Sequence, residues 1–116
     1  KYLLNNGYMI DSFADTANRQ RGVDIKAKSD DGELWITVKG YPEGTRNTPP
    51  STQASHWFKQ AIFDVIDYRN QNVLNLGIAL PDFPRYHSLS EKTVWLKNVT
   101  NFKIFWVDQQ GNIFIE

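Results

Sequence analysis

Apolar and polar residues alternate in two neighbouring stretches, VDIKAKS (residues 23–29) and ELWITVK (residues 33–39). A period of two marks strands with one buried face. The Asp31-Gly32 pair between them predicts a tight hairpin turn, because primed turns need positive φ at both central positions. Centring the turn there sets Lys26 opposite Thr37 and Asp24 opposite Lys39. Asp24, Lys26, Lys28, Trp35, Thr37 and Lys39 then share one face. Val23, Ile25, Ala27, Leu34, Ile36 and Val38 share the other and point to the core, and their burial fixes the register.

The period changes to three and four in TQASHWFKQAIFDVIDYRNQ (residues 52–71), where Trp57, Phe58, Ala61, Ile62, Val65 and Ile66 make the apolar stripe of a long helix. Ser51 or Thr48 is placed to cap it, with proline before the first turn. VLNLGIAL (residues 73–80) is almost wholly apolar, as a central strand covered on both faces would be. Residues 1–6 read as the end of a helix stopped at Gly7, and YMIDSF (8–13) as a short strand. ADTANRQRG (14–22) and PDFPRY (81–86) read as loops, and GYPEGTRNTPPS (40–51) as a mobile one. SEKTVWLKNV (90–99) predicts a short helix, and FKIFWVD (102–108) with IFIE (113–116) a hairpin around QQGN. Trp57, Trp95 and Trp106 are expected to anchor the core. The order predicts an α/β domain with a mixed central sheet flanked by helices, spanning residues 1–116.

The chain has 116 residues, 41% of them hydrophobic and 14% aromatic. That suits one domain burying roughly two thirds of its unfolded surface. No apolar run approaches the roughly 20 residues of a membrane-spanning helix, and no signal-peptide pattern is present. With no cysteine there are no disulfides or thiolate metal sites, which agrees with a cytoplasmic location. A net charge of zero means that any nucleic-acid contact must use a local patch, a bound cation or a further domain. The chain begins at Lys1 and reads as a domain cut from a longer protein.

On the polar hairpin face a carboxylate and an ammonium meet at the open end. An exposed cross-strand ion pair, worth at most about 1 kcal/mol, is one reading. A phosphodiesterase centre is the other, in which Asp24 holds a divalent cation and Lys39 positions water and offsets charge on phosphate.

The stretch GVDIKAK…ELWITVKG, with its flanking Gly22 and Gly40, resembles the core of the PD-(D/E)XK, or restriction-endonuclease-like, nuclease superfamily, and is most similar to its Mrr-type and Holliday-junction-resolvase branch. The resemblance runs from YLLNNGY to WVDQQGN and implies an αβββαβ core, followed here by a helix and a C-terminal hairpin. It carries the family's aspartate to Asp24, as metal ligand and catalytic residue, and its lysine to Lys39. It implies an Mg²⁺-dependent (or Mn²⁺-dependent) DNA endonuclease of restriction or resolvase type. The implied partners are DNA and no membrane, with a homodimer or a fused DNA-binding domain. Thr37 stands where the family usually has Glu or Gln, and a neutral hydroxyl is a poor replacement for an anionic ligand. The acid that the family carries on its first helix has no counterpart in residues 1–6. The departure leaves open a catalytically degenerate nuclease-fold module for nucleic-acid binding or protein assembly.

Other acids are poorly placed to replace it. Glu33 lies four residues from Thr37 along the strand, about 13 Å. Glu43 would have to fold back from its loop, and Asp82 helps only if its strand ends near the site. Lys26, Lys28 and Arg46 are candidates for a phosphate-binding patch, and Gln53 and His56 for contacts from the long helix. A solvated sheet face and a hydrated helix face explain the same residues without function. Trp35 is expected to be covered by a helix or loop. His56 and His87 fit no zinc spacing, and no phosphate loop or nucleophile elbow is present.

Overall fold

The computed structural model describes residues 2–13 and 23–116. The expected loop at residues 14–22, including Gly22, lies outside them. The elements run α1 (Tyr2–Asn5), β1 (Met9–Phe13), β2 (Ile25–Ser29), β3 (Gly32–Val38), α2 (Pro50–Asn70), β4 (Asn75–Pro81), α3 (Pro84–Glu91), α4 (Val94–Thr100), β5 (Lys103–Val107) and β6 (Ile113–Ile115). The strands form one six-stranded sheet in chain order. β1, β2 and β3 make an antiparallel meander, β3, β4 and β5 run parallel, and β6 returns antiparallel on β5. Parallel neighbours need crossovers, and α2 and the α3–α4 pair supply them. The mixed sheet flanked by helices is the expected α/β architecture.

The two sheet faces bury different sets. Leu76, Ile78, Leu80, Ile104 and Trp106 pack under α2 through Ala54, Phe58, Ala61, Val65 and Tyr68, with Tyr86 and Leu89 of α3 beside them. Ala27, Leu34, Ile36 and Phe105 face the other way, against Leu3 of α1. Gly77 in β4 has no room for a side chain, since an added Cβ would lie 2.6 Å from the Phe105 ring. The strand can pass over that ring only as glycine.

The hairpin turn is centred on Asp30-Asp31, not on Asp31-Gly32. Ser29 pairs with Gly32, and Gly32 takes φ +113° while neither aspartate has positive φ. Lys26 therefore stands opposite Trp35 instead of Thr37. The register moves by two residues, which leaves each strand residue on its expected face. Val23, ahead of β2, joins the helix-side core instead of packing with Ile25.

Other departures lie at helix ends. Pro49 is the N-cap of α2 with Pro50 at the first helical position, and no side chain caps it, so neither Thr48 nor Ser51 does so. At its other end the Arg69 guanidinium donates to the carbonyls of Val73, Leu74 and Thr100, tying α2 to α4. The single helix expected over residues 90–99 is two helices, and the first begins at Pro84 inside the expected loop. Of the expected anchors, Trp106 is fully buried, Trp57 is half-buried and Trp95 is 67% exposed. Ile66, counted in the apolar stripe, is 45% exposed.

Candidate active site

The parallel strands end together at one edge of the sheet, a common place for ligands to bind. β3 brings Thr37 there, followed by Lys39, whose backbone N–H donates to the Ala79 carbonyl of β4 at 3.1 Å. Thr37 faces α2 and is wholly buried. A carboxylate at that depth would need pairing to offset its desolvation, whereas a hydroxyl needs one partner. Its partner is Asp64 of α2: the Thr37 hydroxyl donates to Asp64 Oδ2 at 2.8 Å. Asp24, just ahead of β2, reaches the same hydroxyl at 3.5 Å and accepts the Val38 backbone N–H at 2.8 Å.

Two carboxylates thus converge on a hydroxyl that has one proton to give. Lys39 supplies the nearby positive charge. Its ammonium lies 4.0 Å from Asp64 Oδ2 and donates to Gln60 Oε1 at 3.5 Å. The expected cross-strand ion pair with Asp24 is not what forms, because Lys39 turns to the helix. One ammonium against two carboxylates leaves the site negative. Below it lies Tyr68, whose phenol is raised well above its ordinary range, first by burial and then by the charges of Asp64 and Asp24. It stays protonated and adds no further charge.

Oxygen donors from two carboxylates suit Mg²⁺ or Mn²⁺, which take one or two carboxylates and complete their shells with water and phosphate. Among the described residues no group of three or more His, Asp or Glu side chains is placed to hold a metal ion, so Asp24 and Asp64 are the acidic pair they offer here.

Asp64 is the residue of this cluster that the sequence did not single out. Its signal was present. Gln53, His56, Gln60 and Asp64 recur every three or four residues and form one helix face. Gln53 uses that face to hold the preceding loop, accepting the Gly44 backbone N–H at 2.9 Å. His56 is exposed, as is Arg46 in the loop. Lys26 lies over Trp35, 4.4 Å from the ring centroid, and Trp35 in turn stacks edge-on against Tyr68 at 5.5 Å. The expected cover on Trp35 is therefore real. Lys28 is exposed near the turn, opposite Glu33, at the far end of the hairpin from Lys39. Asp82 does not join Asp24. It pairs with His87 at 2.5 Å, and Glu43 is exposed.

Mixed sheet, crossover helix and a charged cluster at the strand ends define an α/β fold consistent with a restriction-endonuclease-like core. The chain is similar to an XisH family protein from Nostoc punctiforme, with a TM-score of 0.57 at 20% identity, over 97% of this chain and 89% of that one. It is also similar to an fdxN element excision controlling factor protein from Anabaena variabilis, with a TM-score of 0.58 at 18% identity, over 97% and 88% of the two chains. For Pyrococcus furiosus SfsA in complex with Ca²⁺ the TM-score is 0.42, at 16% identity over 56% of that chain. No family model matches the sequence, and no curated protein does. None of the described helices is long and apolar enough to cross a membrane.

Proposed function

We propose that the chain is a divalent-cation-dependent DNA endonuclease domain of restriction or resolvase type, with Asp24, Asp64 and Lys39 as its reactive groups. The observation that carries the reading is Asp64, which α2 delivers to the Thr37 hydroxyl beside Asp24 and Lys39. It supplies the second carboxylate that Thr37 cannot. The fold likeness to an excision controlling factor supports a role in DNA handling.

Asp24 and Asp64 are the residues that would hold Mg²⁺ or Mn²⁺. When bound, the cation supplies positive charge to the scissile phosphate and a more acidic water. Lys39 stabilises the charge that builds on phosphate oxygens and orients the attacking water. Gln60 holds the Lys39 ammonium in place. Thr37 is too buried to touch DNA, and it acts as a positioning residue that fixes Asp64 and Asp24 relative to each other. Lys26, Arg46 and His56 are proposed as phosphate contacts further along the bound strand.

The purified protein, incubated with Mn²⁺ or Mg²⁺ and plasmid or branched DNA, is expected to nick or cut it. Asp24→Ala and Asp64→Ala should each abolish cleavage. Cleavage that survives both substitutions rejects this site. Intact DNA with either cation would favour the degenerate binding or assembly module.

A further inference from the structure

We infer that the hollow at the carboxyl ends of β4 and β5 receives an unpaired base of the DNA strand, next to the scissile phosphate. This rests on the nuclease reading above and names a subsite for it. The hollow encloses about 430 Å³ and is lined by Tyr41, Asp82, Val107, Asp108, Gln109 and Gln110. It opens on the same sheet edge as Lys39. Tyr41 follows Lys39 by two residues, which span at most about 7 Å. A DNA strand advances about 3.4 Å per nucleotide, so a phosphate at Lys39 brings a base one or two steps away to this hollow.

The lining chemistry selects a base over a phosphate. Tyr41 is 56% exposed, yet its ring is braced edge-on against Phe83 at 5.2 Å. A braced, exposed aromatic ring is a stacking platform that accepts any base face. The carboxylates of Asp82 and Asp108 disfavour a phosphate in the same space. Asp108 is fully engaged in its own turn. Its carboxylate accepts the Gln110 and Asn112 backbone N–H groups and the Asn112 side chain, and the Asn112 backbone bond is the largest cause holding it below the usual carboxylate range. Asp82 commits Oδ1 to His87, whose ring stacks on Trp106 at 3.7 Å. That leaves Asp82 a second oxygen as acceptor, with the Gln109 and Gln110 side chains beside it. A carboxylate acceptor suits an exocyclic amine, such as cytosine N4 or adenine N6, whereas thymine offers it only the N3 imide N–H.

The test uses the whole chain carrying Asp24→Asn to stop cleavage, and a short single-stranded oligonucleotide containing 2-aminopurine. Binding is expected to quench its fluorescence. Adding Tyr41→Ala should remove the quench and weaken binding roughly ten- to hundred-fold, while Tyr41→Phe keeps both. Cytosine or adenine at the probed position should bind better than thymine, and Asp82→Leu should erase that preference. Binding and quenching unchanged in Tyr41→Ala would overturn the base subsite and leave the Asp24–Asp64–Lys39 site standing. If neither single-stranded nor duplex DNA binds, the nuclease reading falls and the subsite falls with it. Tyr41 is exposed, so its substitution does not threaten the fold.

Discussion

Two acidic clusters stand on the same edge of the sheet, and they are balanced differently. Around β4 and β5 each carboxylate has its counterpart: Asp82 meets His87, and Asp108 accepts N–H groups from its own turn. Around β3, Asp24 and Asp64 crowd one hydroxyl, and the one ammonium there pairs with Asp64 alone. Burying like charges together is unfavourable unless something positive joins them. The first cluster is balanced within the chain, and on the proposed reading the second is the one that a cation would stabilise.

Substitutions can break that contrast, and after the two carboxylates, whose loss should abolish cleavage, the largest effect comes from the ammonium. Lys39→Ala should lower the rate of Mn²⁺-dependent DNA cleavage by about 10²- to 10³-fold in single-turnover assays. Thr37→Val removes the hydroxyl beneath Asp64 and should cost about 1–3 kcal/mol in denaturant unfolding, with weaker Mn²⁺ binding by calorimetry. Asp64→Asn should do the opposite to cation-free stability. Relieving one like-charge contact is worth on the order of 1 kcal/mol, read as a raised melting temperature without metal and a lost Mn²⁺-induced shift.

The smallest effect belongs to alkali. Burial pushes Tyr86 up to about 12, and its hydroxyl donates to the Gly40 carbonyl at 3.0 Å. A raised folded value means that the stabilisation is full below about 10, the unfolded value, and is lost as pH rises through 12. Tyr68 shifts in the same direction. Tyr86→Phe should therefore make the loss of stability between pH 10 and 12 shallower, measured as unfolding midpoint against pH. An unchanged slope would assign the loss to Tyr68 and other groups.

Strand alternation made most of the sheet legible. Val23 aside, hairpin residues kept their expected sides, because parity survives a shift of two residues even when pairing does not, but Val38, expected in the core, is 41% exposed. The pairing itself was hidden in the turn. Gly32 uses its positive φ at the end of the turn, and a sequence of Asp-Asp-Gly does not say which pair sits at the centre. Trp95 shows a different limit. Its size argued for the core, but on a short helix burial fell to Thr100 and, in part, to Leu96. In the site, Asp24, Thr37 and Lys39 were readable because they come from one hairpin. Asp64 was not, because only packing tells which side of a helix meets which strand. A buried threonine looked like a lost ligand until the helix above it showed what it holds.

The connection between β3 and β4 is also the arm that carries Gln60 and Asp64. A peptide made of the hairpin alone, or a chain broken off before Pro50, would keep three of the charged and hydroxyl groups yet lack the fourth. The site is thereby incomplete in unfinished copies, and on the proposed reading a nascent chain would leave DNA intact until its longest helix has docked.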